Sequence, residues 1–152
     1  MQAPLVMLAL LLAAAPALPV EERLIIEAVL AGGGIKAASE TMVLRKVESA
    51  LTLVRLEPTL RTADTQEVLR IPSELLDSVR EHNQQRASMQ GVVQVSANEK
   101  RDKRADVSRP GISRDGARAF LVIDGVDGGG GVLLEKRDGA WRVIARGPNW
   151  RH

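Results

Sequence analysis

Four consecutive glycines, Gly128–Gly131, follow closely on two acids, Asp124 and Asp127. A glycine run cradles phosphate when it joins a strand to a helix, with backbone amides converging at the helix N-terminus and a Lys-Ser/Thr pair following. Here VLLEKRDG follows, which reads as a strand entering a hairpin, so the glycines are assigned to a flexible hairpin connection. Asp124 and Asp127 could hold Ca²⁺ weakly. Their spacing matches neither an EF-hand nor a glycine-rich repeat, and a cation site wants more oxygen ligands. Arg109, just before Pro110-Gly111, could bind a ligand. The preferred reading is structural: it pairs with Asp106 or Asp115 and pins the start of the C-terminal sheet. Arg109, Asp124 and Asp127 are therefore ligand or turn candidates, and no residue is assigned as catalytic, cofactor-binding or metal-ligating.

The remaining polar groups suggest no reaction. His82 lies near the C-terminal end of an expected helix, where an imidazolium pairs with the helix dipole, and no partner stands at a ligand spacing. Glu135, Lys136, Arg137 and Asp138 read as cross-strand and turn charges. No cysteine is present, which excludes disulfides, thiolate metal sites and a Cys nucleophile. Lys and Arg number 21 against 19 acids, a formal charge of +2. With no Tyr, one Phe and two Trp, the chain lacks the dense basic surface and stacking platforms of a nucleic-acid binder, so no nucleic-acid partner is expected.

The elements that must position these residues begin after a leader. Leu5–Ala15 is an unbroken apolar run and Ala15-Pro16-Ala17 offers a small-x-small cleavage pattern, so 1–17 read as a signal peptide cut before Leu18. The run is shorter than the roughly 20 residues of a membrane span. Contact with a membrane is expected only if this N-terminus stays uncleaved. Residues 18–152 are expected to form a single small α+β domain, exported to the periplasm or beyond.

Within it, Glu21–Ala31 is a helix with acids in its first turn, an apolar face of Leu24, Ile25, Ala28 and Val29, and glycines at its end. Met42–Glu57 has helical spacing at Val43, Val47, Ala50, Leu51 and Val54, but its β-branched and aliphatic content favours two strands. Thr59–Val68 reads as a loop or ragged helix. Ile71–Gln85 is a helix with Pro72 in its first turn, Ser73 as a cap, and Leu75, Leu76 and Val79 on one side. Val92–Ser96 suggests a strand, and 98–106 a solvated charged loop.

The C-terminal third is a three-stranded meander: Ala117–Asp124, Val132–Lys136 and Trp141–Arg146, with Asp138-Gly139 supplying a tight turn. Ala119, Leu121 and Ile123 face one way, and Phe120, Val122 and Asp124 the other. Val132 and Leu134 oppose Leu133, while Trp141, Val143 and Ala145 oppose Arg142, Ile144 and Arg146. Apolar residues on both faces imply cover on both. Trp141 is expected under the sheet and Trp150 over an edge. The fold class is thus α+β, with short helices packed on a small antiparallel sheet ending in this meander.

VSRPGISRDGARAFLVI followed by GGGGVLLEKRDGAWRVI resembles the C-terminal block of an uncharacterised family of exported bacterial proteins. The resemblance rests on Ser108, Arg109, Gly111, Ala119, Leu121, Val122, Gly130, Leu133, Leu134, Glu135, Lys136, Asp138, Gly139, Trp141 and Val143. IPSELLDSVREHN resembles a helix of that family more loosely. This chain lacks the cysteines and Tyr of the family's glycine loop, and a short charged segment replaces its aromatic stretch before Ser108. The resemblance implies an exported bacterial protein and no particular mechanism.

Together these features describe a non-enzymatic structural or interaction module of the cell envelope, with no cofactor and an envelope partner of unknown identity. The alternative is a small-ligand-binding or enzymatic cone-shaped α+β domain in which a buried Asp124 acts as a base.

Overall fold

Alternation of apolar residues in the C-terminal third sets the centre of the molecule. A computed structural model describes residues 15–33, 35–94 and 103–152. Most of the expected signal peptide and residues 95–102 lie outside that range. Among the described residues are three helices, α1 (Val20–Gly33), α2 (Leu44–Leu56) and α3 (Ser73–His82). The strands are β1 (Ile35–Ala37), β2 (Thr59–Thr62), β3 (Val68–Arg70), β4 (Lys103–Val107), β5 (Gly111–Ile112), β6 (Arg118–Gly125), β7 (Gly128–Arg137) and β8 (Ala140–Arg151). They form one eight-stranded sheet in the order β1-β4-β6-β7-β8-β2-β3, with β5 on β6. All pairings are antiparallel except β1 with β4. The expected α+β class and meander are therefore present. No helix among the described residues is long and apolar enough to cross a membrane.

The sheet carries a core on each face. Ala119, Leu121, Ile123, Val132, Leu134 and Trp141 pack with Ile25, Ile26, Val29 and Leu30 of α1. Phe120, Val122, Leu133 and Ala145 pack with Val47, Leu51 and Val54 of α2 and Leu75, Leu76 and Val79 of α3. Helices thus pack on both faces of the sheet. The face of α1 is rotated from expectation: Ile26 and Leu30 are buried whereas Leu24 is 40% exposed.

Several elements differ from the sequence-based expectation. Residues 44–56 are one helix, because Val47, Ala50, Leu51 and Val54 at helical spacing all find the sheet and β-propensity yields to that burial. Thr59–Arg70 contains the β2–β3 hairpin, held by the buried Leu60, not a loop or helix. Ser73 does not cap α3; Pro72 stands at the N-cap and no side chain bonds there. Val92–Gln94 is irregular, with Gln94 accepting the Ala37 amide through Oε1 at 3.0 Å, and Ser96 lies outside the described range. The described part of the charged segment is strand, because Ala105 and Val107 alternate inward between β1 and β6.

The glycines are not a connection but the first four residues of β7, and Val126-Asp127 make the turn. The register of β7 with β8 shifts twice, between Gly130 and Val132 and between Leu133 and Leu134; at the second, Leu133 pairs with Ala145 but Leu134 with Val143, leaving Ile144 as an extra residue. That bulge moves Ala145 onto the α2–α3 face, away from Trp141 and Val143. At the other end of the hairpin, Asp138 and Gly139 both have positive φ, 51° and 78°, as a tight turn requires.

Gly111 on β5 sits under α3. A Cβ there would stand 2.5 Å from the Val79 nitrogen and 2.6 Å from the Leu75 oxygen, both backbone atoms that cannot step aside. Gly111→Ala should therefore lower stability by about 1–3 kcal/mol through overpacking. Gly32→Ala, whose Cβ would have only an Arg146 nitrogen within 4 Å, should lose nothing and gain up to about 1 kcal/mol of helix propensity. Urea unfolding of the two variants checks the contrast.

Candidate functional site

The Ser108–Gly111 stretch is tied down at every residue. Ser108 is fully buried, its amide donating to the Val122 carbonyl and its Oγ accepting the Val122 amide, both at 3.0 Å. Arg109 makes a bidentate pair with Glu22 of α1, Nε to Oε1 at 2.8 Å and Nη2 to Oε2 at 2.7 Å, and donates from Nη1 to the Gln85 carbonyl at 3.1 Å. Asn83 accepts the Arg109 amide and donates to the Arg109 carbonyl, each at 2.8 Å. His82 donates from Nδ1 to the Pro110 carbonyl at 2.7 Å.

This answers the role of Arg109 and corrects its partner. The expected acids are engaged elsewhere: Asp106 pairs with Lys46 at 2.5 Å, and Asp115 accepts from Ser113 Oγ at 2.6 Å and the Ala117 amide at 3.0 Å. Those contacts raise the Lys46 pKa, chiefly through its hydrogen bond to Asp106, and lower that of Asp115, chiefly through Ser113. Reasoning from near neighbours missed a partner 87 residues away. Glu22 nevertheless carries a signal, since it is in phase with Ile25, Ile26 and Val29 and would be buried with them.

Asp124 belongs to the α2 side of the sheet. Its Oδ1 accepts from Trp150 Nε1 at 3.2 Å and from His152 Nε2 at 2.6 Å. A glycine makes this possible. A Cβ on Gly129, which lies between Asp124 and Trp150 in the register, would be 2.6 Å from the Trp150 ring, so the indole crosses bare backbone to reach the carboxylate. Phe120 crosses Gly131 similarly. Trp150 thus covers the glycine strand, not an edge. Asp124 is a partnered, partly exposed acid, which does not match the buried base of the alternative reading.

Asp127 lines a cleft on the opposite, α1 face, so the two acids are not brought together as a cation site. No group of three His, Cys, Asp or Glu side chains suited to a metal occurs among the described residues. The cleft encloses about 620 Å³. Ile35, Ala105, Ile123 and Val132, with the backbone of Gly128–Gly131, form its floor, and Arg146, Arg151 and Asn149 stand around it; Arg104 borders it through β4 but alternates with Ala105 and faces the α2 side. It opens where α1 ends, and no helix among the described residues covers the sheet beyond Gly33.

Arg104, Arg146 and Arg151 are exposed and have no acidic partner among the described residues. Arg146 reaches the last turn of α1, its Nη2 lying 3.9 Å from a Cβ placed on Gly32, and α1 has no basic residue of its own there. A guanidinium complements the negative helix end. Sequence reasoning missed these arginines for identifiable reasons. Arg104 lay in the segment read as loop, and strict alternation set Arg146 opposite Trp141, where the bulge at Ile144 brings it to the same side.

The other end of α1 is also fixed electrostatically. Glu21 accepts from Lys136 Nζ at 2.7 Å and from Trp141 Nε1 at 2.9 Å, and its carboxyl is held below the usual range chiefly by the Lys136 hydrogen bond. Trp141 is buried under the sheet as its pattern implied, with Lys136 Nζ 5.7 Å from the ring centroid.

No protein-family model matches the chain, no curated protein is significantly similar to it, and no solved structure matches it.

The Glu22–Arg109 pair is nearly inaccessible, with side chains 4% and 13% exposed. Removing either partner strands the other in the interior. Glu22→Gln and Arg109→Gln should each cost about 3–5 kcal/mol, and the double variant clearly less than their sum. A double-mutant cycle by urea denaturation measures this coupling.

Proposed function

We propose that this protein is an exported, non-catalytic binding module of the bacterial cell envelope, and that the arginine-rimmed cleft is its working surface. The observation carrying the reading is the cleft itself: an aliphatic floor bordered by two arginines, Arg146 and Arg151, without acidic partners among the described residues. Small-molecule sites are commonly concave, largely apolar and bordered by a few charged groups, in the range of about 300–1,000 Å³. Export rests on the apolar run at Leu5–Ala15 and the Ala-Pro-Ala pattern after it.

A catalytic role has less support. Proton chemistry needs an acid or base poised toward a substrate. Here Glu22 is taken by Arg109, Asp106 by Lys46, and Asp124 by Trp150 and His152. What remains available is recognition, by burial on the floor and charge at the rim.

The test uses 8-anilinonaphthalene-1-sulfonate, an apolar anion whose fluorescence rises on transfer from water. The folded full chain should give a saturable increase. R146Q/R151Q should keep its circular dichroism and lose most of that increase. Absence of saturation in the wild-type chain, or an unchanged isotherm in the double variant, would contradict the assignment.

A further inference from the structure

We propose that the cleft takes a free single-chain amphiphile, an unbranched alkyl chain carrying one carboxylate. This rests on the reading of the cleft as the working surface and names its ligand class.

The floor argues for the chain. Ile123, Val132, Ala105 and Ile35 offer aliphatic surface, and Asn149, whose Oδ1 would stand 2.3 Å from a Cβ on Gly130, lies against the glycine backbone beside them. A flat heterocycle would need a stacking plane and directional partners along the floor. Trp150 is the one aromatic residue in the lining, and its ring is committed to Gly129 and its N–H to Asp124 on the opposite side. An aliphatic surface without direction suits a flexible alkyl chain, whose burial depends on area alone. From β4 to β8 the groove crosses three strand intervals, roughly 14 Å at the usual spacing.

The rim argues for the anion. Arg146 and Arg151 rise on the β8 side as two guanidiniums, whereas Arg104 alternates with Ala105 and faces α2. A guanidinium fork matches a carboxylate's two oxygens. Concavity selects a single molecule over a bilayer. A membrane surface would call for a projecting basic patch, and the whole chain carries only +2.

The probe is dodecanoate, kept below its micellar concentration and titrated calorimetrically into the full chain. One equivalent should bind and displace anilinonaphthalene sulfonate competitively. Dodecanol and octanoate should each bind at least about tenfold more weakly, the first lacking the charge and the second chain length. R146Q/R151Q should weaken dodecanoate at least about tenfold, the scale of one lost charged hydrogen bond. R114Q/R142Q removes the same charge outside the cleft and should leave binding within about twofold, the residue of screened long-range attraction.

Saturable dye binding that dodecanoate fails to displace would overturn the alkyl carboxylate while leaving the cleft as the working surface. Failure of both dye and dodecanoate to bind would overturn both. Equal losses in the two double variants would show general charge attraction and reject the site. Cosedimentation with phosphatidylglycerol vesicles that dodecanoate does not compete away would replace the single molecule with a membrane surface.

Discussion

Glu22 lies on the stripe of α1 that also carries Ile25, Ile26 and Val29, so folding the helix onto the sheet takes a carboxylate into the interior. An unpaired buried charge costs several kcal/mol, and the helix can dock only where a cation meets it. Arg109 is that cation, and its backbone is fixed by Asn83 at the end of α3. The pair therefore joins three parts of the chain: the first turn of α1, the strand connection before β5, and the end of the helix on the other face. Such a pair adds little net stability over an apolar replacement, but it admits one position for the helix.

That position determines what the sheet leaves open. With Glu21 held by Lys136 and Trp141, and Glu22 by Arg109, the N-terminal turn of α1 is pinned near the β7–β8 hairpin. Fourteen residues then span about 21 Å, and the helix ends beside Arg146. Beyond it lies the glycine end of β7, whose two faces serve different ends. On the α2 side, Gly129 and Gly131 let Trp150 and Phe120 close the core across bare backbone. On the α1 side a Cβ on Gly130 would meet Asn149 Oδ1 at 2.3 Å, so Asn149 lies against the strand at the border of the groove. A glycine run that resembles a phosphate loop in sequence here thins a sheet.

Elements fixed by local signals were legible in the sequence. The period-two alternation of β6 and β7, the Asp138-Gly139 turn and the apolar side of α3 each follow from a few adjacent residues. What escaped depended on distant partners or single-residue irregularities. Residues 44–56 could satisfy either period until the sheet supplied a surface for Val47, Leu51 and Val54. β4 has only Ala105 and Val107 pointing inward, too few to stand out from the charges beside them. One extra residue at Ile144 inverted the facing of Ala145 and Arg146, which hid the β8 arm of the cleft. Of the three ligand candidates, Arg109 proved to be a clamp and Asp124 a hydrogen-bond acceptor, and Asp127 alone lines the cleft.

The central claim is that ligand recognition belongs to the glycine end of the α1 face. Amide chemical shifts followed by ¹⁵N–¹H correlation NMR during a dodecanoate titration test it residue by residue. The account predicts saturable shifts concentrated at Gly128–Gly131, at Ile123–Asp127 and around Arg146 and Arg151, with Val47, Leu51 and Val54 of α2 unmoved. Shifts centred on Lys46 and the far face, or spread without saturation over the whole surface, would contradict it.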